Sequence, residues 1–121
     1  MVLLGNLKLE RLPIFSFLIK NPETGYYLHY NFVNKLLNDL FGIQSRSGCA
    51  CAGPYGFYLL GISEEVSQNL MKVLEKKNDS EEMQAIFKPG FTRFNIPFFL
   101  EQTQIDFIHK SVQFVCEHGW K

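Results

Sequence analysis

The sequence predicts an α+β fold, a small sheet with helices packed on it. Three patterns carry that expectation. Residues 14–19 form an almost continuous apolar run with the length and Phe/Ile content of a strand. Residues 91–96 alternate apolar or aromatic with polar side chains, the period of a strand with two unlike faces. Residues 28–41, and the chain from Glu101 onward, repeat apolar residues at three- and four-residue spacing, as amphipathic helices do. The 121 residues suffice for a single small domain with a modest core.

In chain order, Val2-Leu3-Leu4 is a short strand closed by the turn residues Gly5-Asn6. Pro13 opens the apolar run, which is expected to be a strand buried on both faces. Asn21-Pro22-Glu23-Thr24-Gly25 is a turn-rich loop. The helix over residues 28–41 sets Leu28, Phe32, Val33, Leu36, Leu37, Leu40 and Phe41 in one stripe, with Gly42 as its stop. His29 sits near its start with no partner at metal-ligand spacing, and a capping or surface role is expected. Ile43-Gln44-Ser45-Arg46 reads as a short strand.

Residues 57–62 are expected to be helical, and Ser63-Glu64-Glu65 is an N-cap with acids in the first turn of the next helix. That helix carries Val66, Leu70, Val73 and Leu74 on one face and ends in a polar link, residues 76–80. Pro89-Gly90 turns the chain into the alternating strand, where Arg93 points away from the face bearing Phe94 and Ile96. The last helix lines up Ile105, Ile108, Val112 and Val115, with Cys116 expected as a small buried hydrophobe.

Composition bounds function. Twelve basic and twelve acidic residues cancel, so no basic excess points to nucleic acid. The N-terminal apolar stretch is interrupted by Lys8, Glu10 and Arg11, so it is neither a signal peptide nor a membrane span. Three cysteines, two of them separated by one residue, make a poor disulfide framework and point to a reducing, cytoplasmic setting.

The chemistry concentrates in Arg46-Ser47-Gly48-Cys49-Ala50-Cys51-Ala52-Gly53-Pro54-Tyr55, a loop shaped by glycine and proline. Three uses are open. Cys49 and Cys51, with Cys116 and His118, could ligate zinc, although zinc pairs are usually separated by two to four residues and here both gaps are one. The thiols could be structural. Or Cys51 could be a nucleophile, its thiolate favoured by Arg46 or a cofactor charge.

Arg46 to Pro54 resembles the cysteine-loop segment of class V aminotransferases, the pyridoxal-phosphate group that includes cysteine desulfurases and selenocysteine lyases. Residues 13–19 resemble the strand that opens the C-terminal small domain of these fold-type I enzymes. Residues 28–33 and 36–43 resemble the helix and strand before the loop, and residues 88–95 the late strand whose Arg faces the active site. The resemblance covers nearly the whole chain. It implies that Arg93 grips the substrate carboxylate, that Arg46 lies near the substrate entrance, and that Cys51 forms a persulfide if the enzyme is a desulfurase. Cys49 and the Ala52-Gly53-Pro54-Tyr55 segment depart from the desulfurase pattern.

The resemblance also implies a partner. The Schiff-base lysine and most phosphate contacts belong to a large domain, and the lysines here fall in loops or on helix surfaces by pattern. The expectation is therefore the C-terminal part of a larger enzyme that uses pyridoxal phosphate on an amino acid. By itself this part would hold no cofactor and be inactive. A missing large domain or a homodimer partner would complete it, without nucleic acid or membrane. The alternative is a non-catalytic remnant or an interaction module that keeps the fold.

Overall fold

The computed structural model describes residues 1–48, 53–74 and 86–121. Its elements are β1 (Val2–Leu3), β2 (Ile14–Leu18), α1 (Tyr30–Phe41), β3 (Arg46–Gly48), α2 (Gly53–Leu59), α3 (Glu64–Leu74), β4 (Phe91–Asn95) and α4 (Gln102–His118). This is the α+β architecture that the periodicities predict. The chain divides into two compact units, Met1–Ser47 with Phe91–Lys121, and Gly48–Gly90.

In the first unit the strands form one sheet in the order β1-β2-β4-β3. β2 runs antiparallel to both neighbours. Its register with β4 sets Phe15 opposite Phe94, Ser16 opposite Arg93 and Phe17 opposite Thr92. Period two then sorts the side chains. Phe15, Phe17, Thr92 and Phe94 share one face, where the Phe94 ring meets those of Phe15 and Phe17 at centroid distances of 5.6 and 5.7 Å. On that face Phe17 and Ile19 join Val33 and Leu37 of α1 and Val112 and Val115 of α4 in the buried core.

The expectation that residues 14–19 are buried on both faces is corrected. Ile14 is 40% exposed, and Ser16 and Leu18 are only partly buried. The core residues contributed by α1 and α4 join Phe17 and Ile19 on a single face, and an antiparallel sheet can leave its other face open.

The helix ends follow their local chemistry. His29 is the N-cap of α1, its Nδ1 accepting the Asn31 backbone N–H at 3.2 Å. Gly42 ends α1 in the left-handed region at φ 66°, donating to the carbonyls of Asn38 and Leu37. The α1 stripe is narrower than predicted, since Tyr30, Val33 and Leu37 are buried while Phe32 and Leu40 are exposed. Glu101 caps α4 and donates its backbone N–H to Gln104 Oε1 at 3.0 Å. Two other boundaries shift. The strand expected over residues 43–46 instead spans Arg46–Gly48, and the helix expected over residues 57–62 is α2, beginning at Gly53.

In the second unit, Ser63 caps α3, its Oγ accepting from the Val66 backbone N–H at 3.4 Å. No residue of α3 is buried, and α2 buries only Gly56. The polar link at residues 76–80 lies outside the described residues. No helix among the described residues is long and apolar enough to cross a membrane.

Candidate functional site

One cleft in the first unit collects the chemistry. It lies where the start of β2, the end of β4 and the start of β3 meet. Its lining is Leu12, Pro13 and Ile14, then Arg93 through Phe98, with Gln44 and Arg46 closing it. Its volume is about 520 Å³, within the range of small-molecule sites.

Backbone alternation brings the two arginines to this cleft. Thr92 is buried and donates its hydroxyl to the Tyr30 carbonyl of α1 at 3.3 Å, which fixes Thr92 on the helix side of the sheet. Arg93, one residue on, projects to the opposite, open face. The neighbouring strand repeats the arrangement. Ser47 donates its hydroxyl to Asn31 Oδ1 of α1 at 2.7 Å, so Ser47 also faces the helix and Arg46 faces away. Ser45, on the other side of Arg46, donates to Asn34 Oδ1.

The described residues that line the cleft carry one sign of charge. Arg93 is partly exposed and Arg46 exposed, and neither guanidinium makes a hydrogen bond or ion pair among the described residues. Among the described residues, no carboxylate lines the cleft. Arg11 differs, because its guanidinium lies over the Phe15 ring at 5.3 Å and donates to the Ile14 carbonyl. Two uncommitted guanidinium forks over apolar walls are suited to an anion with an apolar body, since the fork matches carboxylate or phosphate geometry and a cleft of one sign concentrates counter-charge.

The other predicted residues fare differently. Cys51 and Cys49 lie outside the described residues. Cys116 is a free, partly buried cysteine whose thiol pKa is pushed up by burial, so it is a poor nucleophile at neutral pH. Among the described residues no group of three or more His, Cys, Asp or Glu could hold a metal. Among the described residues the cleft's lining also contains no lysine to form an imine and no acid to pair with a pyridinium. The described residues therefore fit a substrate acid and do not fit pyridoxal phosphate, and no step through that group is derived from them.

Asn31, Asn34 and Thr92 were missed in the sequence. A signal for the first two was present, because asparagines three residues apart share one helix face. Serines on both sides of Arg46 likewise match strand alternation.

Molybdenum cofactor sulfurase of Caenorhabditis elegans is 41% identical to this chain over 61 residues. The match covers 50% of this chain and 8% of that protein. The chain thus matches only a small part of the relative's length. No family model matches the chain, and no solved structure matches it.

Proposed function

We propose that the chain is the small-domain part of a class V aminotransferase-like enzyme of the sulfurase and cysteine desulfurase type, and that it supplies the arginines that hold an amino-acid substrate. The observation that carries this is the pair of guanidiniums, Arg93 and Arg46, which among the described residues make no hydrogen bond or ion pair and line one cleft without a carboxylate. The similarity to a molybdenum cofactor sulfurase supports the sulfur-transfer branch of the resemblance.

In this reading Arg93 takes the substrate carboxylate as a bidentate fork, and Arg46 draws the acid in at the entrance. Pro13, Ile14, Ile96 and Pro97 keep the body of the substrate out of water. Pyridoxal phosphate, which stabilises carbanions as an electron sink, would be carried by a large domain or by a homodimer partner. In a desulfurase, Cys51 would be the thiolate that accepts sulfur.

The second reading, an interaction module without catalysis, is favoured by Phe98 and Phe99, which are 98% and 70% exposed. Reconstitution separates the two. The chain is mixed with a lysine-bearing large domain of a class V sulfurase, and sulfur release from L-cysteine is followed. Turnover that requires the chain supports the enzyme reading, with Arg93→Ala weakening substrate binding by about 2–5 kcal/mol. Binding of the large domain without turnover, or turnover indifferent to Arg93→Ala, supports the module.

A further inference from the structure

The arginines of the cleft leave one kind of contact unmade. Guanidinium only donates hydrogen bonds, so Arg93 and Arg46 can hold a carboxylate but cannot receive a group that itself donates. An amino acid brings more than its carboxylate. L-cysteine, the substrate of the sulfur-transfer reading, also carries a thiol on its β-carbon. Among the described residues of the lining, the side-chain acceptors are the amides of Asn95 and Gln44.

Asn95 is the better placed of the two. It lies two residues beyond Arg93 on β4, so both side chains leave the same open face of the sheet. Their Cα atoms are roughly 6.5–7 Å apart, two strand rises. The register sets Ile14 directly opposite Asn95, and Ile14 lines the same cleft. A small amino acid whose carboxylate sits on the Arg93 fork therefore meets two side chains next along the sheet. Ile14 covers the methylene of its side chain, and the Asn95 amide meets the polar group that the methylene carries. Gln44 precedes β3 and shares no strand with Arg93.

Asn95 also lacks the local use that other asparagines of the chain have. Asn6 and Asn21 accept backbone N–H groups in turns, and Asn31 and Asn34 accept serine hydroxyls from the β3 segment. The Asn95 side chain is exposed and makes no hydrogen bond to a described residue. Asparagine is moreover depleted in strands, so local propensity does not account for it. Its amide faces water in the free chain and can exchange that water for a ligand group.

We infer that Asn95 is the specificity-determining residue of this cleft. With the carboxylate on Arg93, the Asn95 amide hydrogen-bonds a thiol or hydroxyl on the β-carbon of the substrate and so separates cysteine-like from alanine-like amino acids. An amide accepts from such a group and also donates to it, so the contact serves the thiol and the thiolate alike. This rests on the substrate-site reading above and deepens it.

The test uses the whole chain and N-acetyl amino acids, whose blocked amine carries no charge. N-acetyl-L-cysteine and N-acetyl-L-serine are titrated by NMR under reducing conditions against N-acetyl-L-2-aminobutyrate, which has a methyl group in place of the thiol or hydroxyl. The first two bind about fivefold tighter, the scale of one net hydrogen bond. Asn95→Leu keeps the shape, loses the polar atoms and brings the three probes to equal affinity. Asn95→Ala, a truncation at an exposed position, acts in the same direction. Arg93→Gln weakens all three probes together and leaves their ratio. Equal affinity of the three probes for the unaltered chain overturns the inference and leaves the substrate-site reading standing. Binding of none of them overturns both. A preference that survives both Asn95 variants moves the contact to another group, Gln44 first, and overturns the inference, as does loss of all binding in both.

Discussion

α1 and α3 begin from similar sequence patterns and end differently. Both are amphipathic, both have an N-terminal cap, and both are 11 or 12 residues long. In α1 the stripe is closed, with Val33 and Leu37 fully buried against Phe17, Ile19, Val112 and Val115. In α3 it is open, with Val66 at 55% and Val73 at 51% exposure and no residue buried. Amphipathicity tells which face of a helix seeks cover. Whether the cover lies in the same stretch of chain is a tertiary fact that periodicity does not contain.

The largest effect that follows is on the closed stripe. Leu37→Ala opens a cavity in the core and is expected to cost about 2–5 kcal/mol in urea unfolding. Val73→Ala removes a half-exposed side chain and should stay within about 0.5 kcal/mol. Equal costs would contradict the contrast between the two helices.

A smaller effect tests how α1 ends. Gly42 stands at φ 66°, where a Cβ crowds its own backbone, although it meets no neighbour within 4 Å. Gly42→Ala should therefore cost about 1–2 kcal/mol from the backbone alone. A neutral result would mean that the helix end relaxes to another geometry.

The smallest effect is a pH dependence. Burial pushes the Cys116 thiol up, so the folded state keeps its proton at a pH where the unfolded thiol has begun to lose it. In that window the folded chain binds more protons, and stability falls as pH rises. The contribution is fully present below about pH 8.5, the ordinary thiol range, and is lost as pH climbs through the raised folded value. Cys116→Ala should flatten the alkaline limb of a stability–pH profile. An unchanged limb would place the titration elsewhere.

Much of the fold was legible because local chemistry and tertiary packing agree. Gly42, Ser63 and Glu101 mark helix ends by capping, and the period-two run sets Phe94 against Phe15 and Phe17. The misses have physical causes. β3 is three residues ending in glycine, a poor strand former, and its neighbour in the sheet is β4, more than forty residues away in sequence. Pro54 lies in the first turn of α2, where its missing N–H costs nothing, so the proline that reads as a loop signal starts a helix. The two-faced burial of β2 depends on how many layers the fold has, and an apolar run is silent on that. At the site, the outward direction of Arg93 was legible from alternation. That of Arg46 came only with the Ser47–Asn31 hydrogen bond, a contact between residues 16 apart in sequence.

The central claim is that Arg93 and Arg46 face one open cleft as a joint anion receptor while Arg11 is already engaged. The chain has three arginines, so their side-chain Nε–H signals can be followed individually by NMR. N-acetyl-alanine, a carboxylate with its amine blocked, is the probe. Arg93 and Arg46 are expected to shift together with a single midpoint, Arg11 to stay still, and Arg93→Gln to remove the Arg46 response. A still Arg93, or all three arginines drifting alike without saturation, would contradict the account.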